Sequence, residues 1–142
     1  MDEYIIYTDG GCDPNPGPGG WAALILHGKT RREISGAEIR STNNRMELTA
    51  AIEAIRSIKS PSRITLFTDS QYLQKGIEEW MPKWLAKKWR GTKGPVANQD
   101  LWQELLAVSS VHQVLWRWLR GHAGNSYNER VDQLCRAARR GK

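Results

Sequence analysis

Two hydrophobic runs in this chain end in the same dipeptide. EYIIYTDG stops at Thr8–Asp9, and RITLFTDS stops at Thr68–Asp69. Both runs read as short strands. If the two strands are parallel neighbours, Asp9 and Asp69 lie side by side at their carboxyl ends, where open α/β sheets place their sites. Two carboxylates there repel, and each raises the other's pKa unless a cation sits between them. A hard divalent ion such as Mg²⁺ is the natural partner, because it takes oxygen ligands and keeps part of its water. Helical carboxylates can join the pair. Glu47 lies one turn after Asn43 and shares its face. Asp132 lies one turn into a predicted last helix. Carboxylates that hold two ions about 4 Å apart form a two-metal phosphoryl-transfer site.

Each of these residues also has an ordinary structural reading. An aspartate before glycine is usually a turn residue. An aspartate before Ser-Gln-Tyr-Leu is usually a helix cap. Glu47 and Asp132 could sit on solvated helix faces. The joint placement favours the metal: two matching strand ends, in one sheet, in a basic protein. The glycine-rich stretch CDPNPGPGGW after Asp9 is not a nucleotide cradle. It lacks the Gly-Lys-Ser/Thr ending of a phosphate loop and precedes a strand, not a helix. A turn that lets a ligand backbone come close remains open.

The elements that must position these groups follow from periodicity. Glu3–Thr8, Trp21–His27 and Arg31–Ile39 read as three strands joined by short connections, an antiparallel meander. In STNNRMELTAAIEAIRSIKS, Leu48, Ala51, Ile52 and Ile55 form one apolar stripe, so this is a helix. Ser41 or Thr42 is its N-cap. Arg63–Thr68 is the fourth strand. A helix follows Asp69, and a basic helical stretch runs to about Arg90. RGTKGPVAN is a loop. Asn98–Ser109 is helical, with Asn98 as its cap. His112–Leu119 alternates as a strand, RGHAGNS is a loop, and Tyr127–Arg139 is the last helix. A right-handed crossover from the first strand to the fourth makes that pair parallel. The result is a mixed sheet with helices packed on it.

The 142 residues suit one domain, 1–142, with a real core. No apolar run approaches the roughly 20 residues that span a bilayer. The acidic start MDEYIIY does not read as a signal peptide, so a cytoplasmic location is expected. Cys12 and Cys135 form no metal or redox motif and read as reduced thiols. The net charge of +6 favours a polyanionic partner.

TDGGCDPNPGPGGWAA, TNNRMELTAAIEAI, TDSQYLQKGI and RGHAGNSYNERVDQL, in this order, resemble the motifs of type 1 ribonuclease H, close to the bacterial enzymes. The resemblance spans essentially the whole chain. It implies an α/β fold with a mixed five-stranded sheet of order 3-2-1-4-5 and helices on both faces. It also implies an endonuclease that cuts the RNA strand of RNA–DNA hybrids, leaving 5′-phosphate and 3′-hydroxyl ends. Asp9, Glu47, Asp69 and Asp132 match the carboxylates that bind two Mg²⁺ ions, or Mn²⁺. His122 matches a loop histidine that aids catalysis or product release. Asn15, Asn43 and Gln71, with the Gly10, Gly11 and Cys12 backbone, match the groups that read ribose 2′-hydroxyls. Arg40, Thr42 and Asn98 match phosphate contacts to the DNA strand. Val131 departs from the small residues common at its position without removing a functional group.

EEWMPKWLAKKWRGTKG places Trp80, Trp84 and Trp89 among Lys83, Lys87, Lys88, Arg90 and Lys93. A helix that buries tryptophans and solvates lysines accounts for part of this. The clustered charge beside aromatics also suits a nucleic-acid backbone. The resemblance adds that many bacterial members carry a DNA-binding protrusion here. Trp102, Trp116 and Trp118 are expected in the core, and His27 and His112 in structural roles. Two rival classes share parts of this pattern. A non-enzymatic hybrid-binding module would lack the full carboxylate set. A transposase-like relative would lack the Asn15, Asn43, Gln71 pattern. The expected partner is an RNA–DNA hybrid, bound by a monomer with no membrane association.

Overall fold

The computed structural model describes residues 1–91, 94–120 and 125–140. Strand β1 (Asp2–Cys12) is followed by β2 (Gly17–His27), β3 (Thr30–Ser41), helix α1 (Asn43–Arg56) and β4 (Ser62–Thr68). Next come α2 (Gln71–Lys75), a π-helical turn (Gly76–Trp80) and α3 (Met81–Ala86). A two-residue ladder pairs β5 (Arg90–Gly91) with β6 (Gly94–Pro95). Helix α4 (Gln99–Ser109), strand β7 (Gln113–Trp118) and helix α5 (Ser126–Arg140) complete the chain.

The main sheet has five strands in the order β3-β2-β1-β4-β7. This is the expected 3-2-1-4-5, with β7 as its fifth strand. β1 pairs antiparallel with β2 and parallel with β4, and β4 pairs parallel with β7. Alternation along the strands sends neighbouring side chains to opposite faces. Ile6, Ile64 and Leu66 pack with Leu48, Ile52 and Ile55 of α1. Tyr7 and Leu24 pack with Val131 of α5, and Phe67 packs against them. Helices therefore cover both faces. Leu48, Ile52 and Ile55 are at most 2% exposed, and each contributes about 1.5–3 kcal/mol of burial. Thr42 caps α1: its hydroxyl accepts from the Arg45 amide at 3.2 Å.

Three boundaries differ from the sequence reading. First, β1 runs on to Cys12 and β2 begins at Gly17, so much of the glycine-rich stretch belongs to the ladder. Second, the basic helical stretch ends at Ala86, before the left-handed Lys88 and Trp89. Third, Asn98 is not a side-chain cap. It takes the left-handed conformation, φ 58° and ψ 28°, which asparagine tolerates better than most residues. Its amide instead donates to the Tyr72 hydroxyl at 3.0 Å and accepts from Arg45 Nη1 at 3.2 Å.

Trp102 is fully buried, whereas Trp116 and Trp118 are half-buried and stack on each other on β7. His27 and His112 make contacts within the protein. His112 Nδ1 accepts from the Ser62 amide at 3.0 Å, and His27 stacks on Tyr4.

Candidate active site

Asp9 is not a turn residue. It lies within β1, opposite Ala22 of β2. The parallel register pairs Tyr7 with Phe67, so two residues further on Asp9 comes beside Asp69. Nor does Asp69 cap the following helix. Ser70 does so, its hydroxyl accepting from the Leu73 amide at 3.1 Å. Both local explanations for these aspartates are thus taken up by other residues.

Two helices deliver the remaining carboxylates, and glycines let them approach. A Cβ on Gly10 would stand 2.6 Å from the Glu47 nitrogen, so α1 lies directly against the β1 backbone. A Cβ on Gly20 would stand 2.5 Å from the Cys135 carbonyl oxygen, so α5, which carries Asp132, lies against β2 in the same way. The close approach expected of the glycines is therefore made at Gly10 and Gly20 by the protein's own helices. At Gly11 a Cβ would meet only ordinary contacts, Asn43 Oδ1 at 3.5 Å and Arg139 Nη1 at 3.9 Å.

The carboxylates feel one another. Burial, then the charges of Asp69 and Asp132, pushes Asp9 up to about 8. Burial also pushes Glu47 up to about 7, with Asp69 adding to the rise and the Ser70 hydroxyl opposing it. Asp132 accepts a hydrogen bond from Arg136, one turn along α5. Among the described residues, no three side chains of the ligating types close into a ready-made metal cage. The carboxylates are instead linked by charge, Asp9 with Asp69 and Asp132 and Glu47 with Asp69, and two of the four resist ionisation. A hard divalent cation fits this donor set, since it relieves that cost with oxygen ligands. The nearby Cys135 is no thiolate ligand: burial and the Asp9 charge push its thiol up to about 12, and its Sγ contacts the Gly20 carbonyl oxygen. His122 lies outside the described residues.

The polar residues expected to read ribose lie on the elements that carry these carboxylates or on the loop beside them. Asn43 Oδ1 accepts from the Cys12 amide at 2.7 Å, and Asn15 Oδ1 accepts from the Asn43 amide at 3.0 Å. Both amide oxygens accept from backbone amides, and the NH₂ groups remain available as donors. Gln71 is exposed at the start of α2. Together with Asp69, Gln74, Trp118 and Arg120 it lines a cavity of about 420 Å³. Arg40 is exposed near the end of β3, two residues before the α1 cap Thr42. Arg45, missed in the sequence, ties this corner to α4 through a bidentate pair with Asp100 at 3.0 and 2.8 Å.

The tryptophans form a continuous cluster. Trp84 lies 6.0 Å from Trp80, 5.8 Å from Trp89 and 5.6 Å from Trp102, between ring centroids. Trp80, Trp84 and Trp89 are half-buried while Lys83, Lys87 and Lys88 are exposed. Part of the cluster is therefore core, and part remains open with lysines around it. Tyr72, Trp80, Trp84 and Ala97 border an apolar hollow of about 340 Å³.

A mixed sheet of this strand order, covered by helices on both faces and acidic at its carboxyl edge, defines the ribonuclease H fold class. Residues 1–140 match the family model of RNase H. A relative named Ribonuclease H from Acidiphilium cryptum (strain JF-5) is 56% identical over 135 residues, covering 94% of this chain and 84% of its own. One of the same name from Hahella chejuensis (strain KCTC 2396) is 55% identical, covering 95% and 92%. Among solved structures, LC9-RNase H1, described as a type 1 RNase H with the type 2 active-site motif, has a TM-score of 0.90 at 33% identity. That match covers 99% of this chain and 74% of the other. The chain belongs to the ribonuclease H family and is an enzyme of that class.

Proposed function

We propose that this chain, as a single catalytic domain over residues 1–142, hydrolyses the RNA strand of RNA–DNA hybrids and leaves 5′-phosphate and 3′-hydroxyl ends. The observation that carries this reading is the set of interacting carboxylates at the sheet edge. Asp9 and Asp69 adjoin at the sheet edge, and burial with mutual repulsion raises Asp9 to about 8 and Glu47 to about 7. Family membership supports the same reading.

Asp9, Glu47, Asp69 and Asp132 would hold two Mg²⁺ ions, for which Mn²⁺ can substitute. When bound, such ions offset the phosphate's charge and lower the pKa of water. In the reaction a water oxygen attacks phosphorus, the bond to the 3′ oxygen breaks, and that oxygen gains a proton. His122 is proposed to accept or relay a proton near neutral pH. Asn15, Asn43 and Gln71, with the Gly10–Cys12 backbone, select the RNA strand, because only RNA offers a 2′-hydroxyl. Arg40, Thr42 and Asn98 contact DNA phosphates. Trp80, Trp84 and Trp89 with Lys87 and Lys88 hold that strand further along. A cytoplasmic monomer fits this role. Among the described residues no helix is long and apolar enough to cross a membrane.

The test is a substrate panel. Hybrid, double-stranded RNA, double-stranded DNA and single strands are incubated with the protein and Mg²⁺. Only the hybrid should be cut, only in its RNA strand, and Asp9→Asn should abolish cleavage while keeping hybrid binding. Full Mg²⁺-dependent activity in Asp9→Asn would sink the assignment.

A further inference from the structure

Arg136, Arg139 and Arg140 of α5 line a groove of about 400 Å³ together with Asp13 and Pro18. It lies away from the tryptophan surface and beside the end of β1. The Arg139 nitrogen would be 2.8 Å from a Cβ on Gly20, so the tight packing of α5 on β2 fixes where this side chain begins. Its guanidinium reaches back toward Gly11. The position that a Cβ on Gly11 would occupy lies 3.5 Å from Asn43 Oδ1 and 3.9 Å from Arg139 Nη1. The Gly11 backbone, the Asn43 amide and the Arg139 guanidinium therefore lie close together at the edge of this groove. Gly11 is two residues along β1 from Asp9.

One neighbour of Arg139 in the groove is already engaged. Arg136 pairs with Asp132. Among the described residues, Arg139 forms no ion pair with a carboxylate, although Asp13 shares its groove. A guanidinium with unused donors suits a phosphate, which it can bind through two parallel hydrogen bonds. The amide beside it is the group assigned to a ribose hydroxyl. Ribose and phosphate alternate along one strand, so adjacent readers for both imply one path for that strand. The path runs beside Asp9 and is therefore that of the strand to be cut.

We infer that Arg139 binds a backbone phosphate of the RNA strand next to the ribose read by Asn43, with Arg140 adding charge to the groove. This inference rests on the hybrid as substrate. Arg139 is a substrate-binding residue and takes no part in bond breaking.

The experiment measures hybrid cleavage against salt for the wild type, Arg139→Ala and Arg139→Gln. Both variants keep the Cβ that packs on Gly20. Lys59→Ala serves as control, since it removes one charge at an exposed position beyond the far end of α1. Arg139→Ala and Arg139→Gln should raise KM about fivefold at ~0.1 M salt, hold kcat within about twofold, and flatten the slope of log KM against log salt by about one. Lys59→Ala should change neither KM nor slope. Wild-type KM and slope in both Arg139 variants would overturn the inference. So would a fall in kcat at constant KM, or an equal effect from Lys59→Ala, which would reduce the groove to net charge. Cleavage of hybrid by the wild type keeps these outcomes separate from the parent reading. A wild type that leaves hybrid intact takes both down.

Discussion

Gly10 of β1 and Glu47 of α1 are locked backbone to backbone. A Cβ on Gly10 would stand 2.6 Å from the Glu47 nitrogen and 2.3 Å from the Met46 oxygen. The strand that carries Asp9 is thereby fixed against the helix that carries Glu47. Gly10→Ala must push α1 outward, because the methyl would meet backbone and not a flexible side chain. Overpacking of this kind costs about 1–3 kcal/mol. Displacing a reacting group by even ~1 Å can cost about a hundredfold in rate. The expected result is a lower urea midpoint together with a kcat reduced by at least about tenfold. Wild-type kcat in a destabilised variant would show that Glu47 does not depend on this contact.

Asp9→Asn should stabilise the chain when divalent cations are absent. Burial and neighbouring charge raise Asp9 from 3.8 to about 8 in the folded state. Folded protein therefore holds this proton over a range where unfolded protein has released it. The corresponding stability is fully present below the unfolded value and is lost as pH rises through the folded one. In chelator, the variant should melt about 3–6 °C above the wild type near pH 8, the shift for about 1 kcal/mol in a domain of this size. The gap should close near pH 4. Mg²⁺ should raise the wild-type midpoint and leave the variant's nearly unchanged. Equal midpoints at every pH would mean that Asp9 carries no such strain.

Asp9 and Asp69 could be matched from sequence because each ends a hydrophobic run, and a crossover makes those runs neighbours. The apolar stripe of α1 was visible for the same reason: periodicity is local. Arg45 was not visible, since its partners Asn98 and Asp100 lie 53 and 55 residues away. Nor was the bidentate pair of Glu33 with Arg130, which ties β3 to α5 across 97 residues. The helix contacts at Gly10 and Gly20 were hidden for a related reason. A missing side chain reveals that something comes close, but not whether it is a ligand or a helix. Asn98 fits both a cap and a left-handed residue, and its tertiary partners Tyr72 and Arg45 determined which.

Lys87 and Lys88 follow α3 and are exposed. If they hold the DNA strand, removing both charges should raise KM and leave kcat little changed. The slope of log KM against log salt should fall by about two. Lys88 has a φ of 52°, so Lys88→Asn, which tolerates this conformation, with Lys87→Gln is the cleaner pair. Alanine at position 88 would mix strain with charge. A slope identical to the wild type's would remove this surface from the binding path.

Cys12 and Cys135 are both free thiols, yet they should react very differently. Cys135 is buried and its thiol is pushed up to about 12. Cys12 ends β1, is half-buried, and is raised above the ordinary thiol value by burial, opposed by the Gly17 backbone and the Arg139 charge. The thiolate is the reactive form. Iodoacetamide should therefore modify one site, Cys12, slowly near neutral pH and about tenfold faster per pH unit below its pKa. Cys135 should label only after unfolding. The Cys12 amide is held by Asn43 on the face proposed to read ribose, so bound hybrid should shield this thiol. Mass spectrometry of Asp9→Asn, labelled with and without saturating hybrid, reads both effects without cleavage of the ligand. Labelling of Cys12 at one rate in both samples would place the RNA strand away from the end of β1.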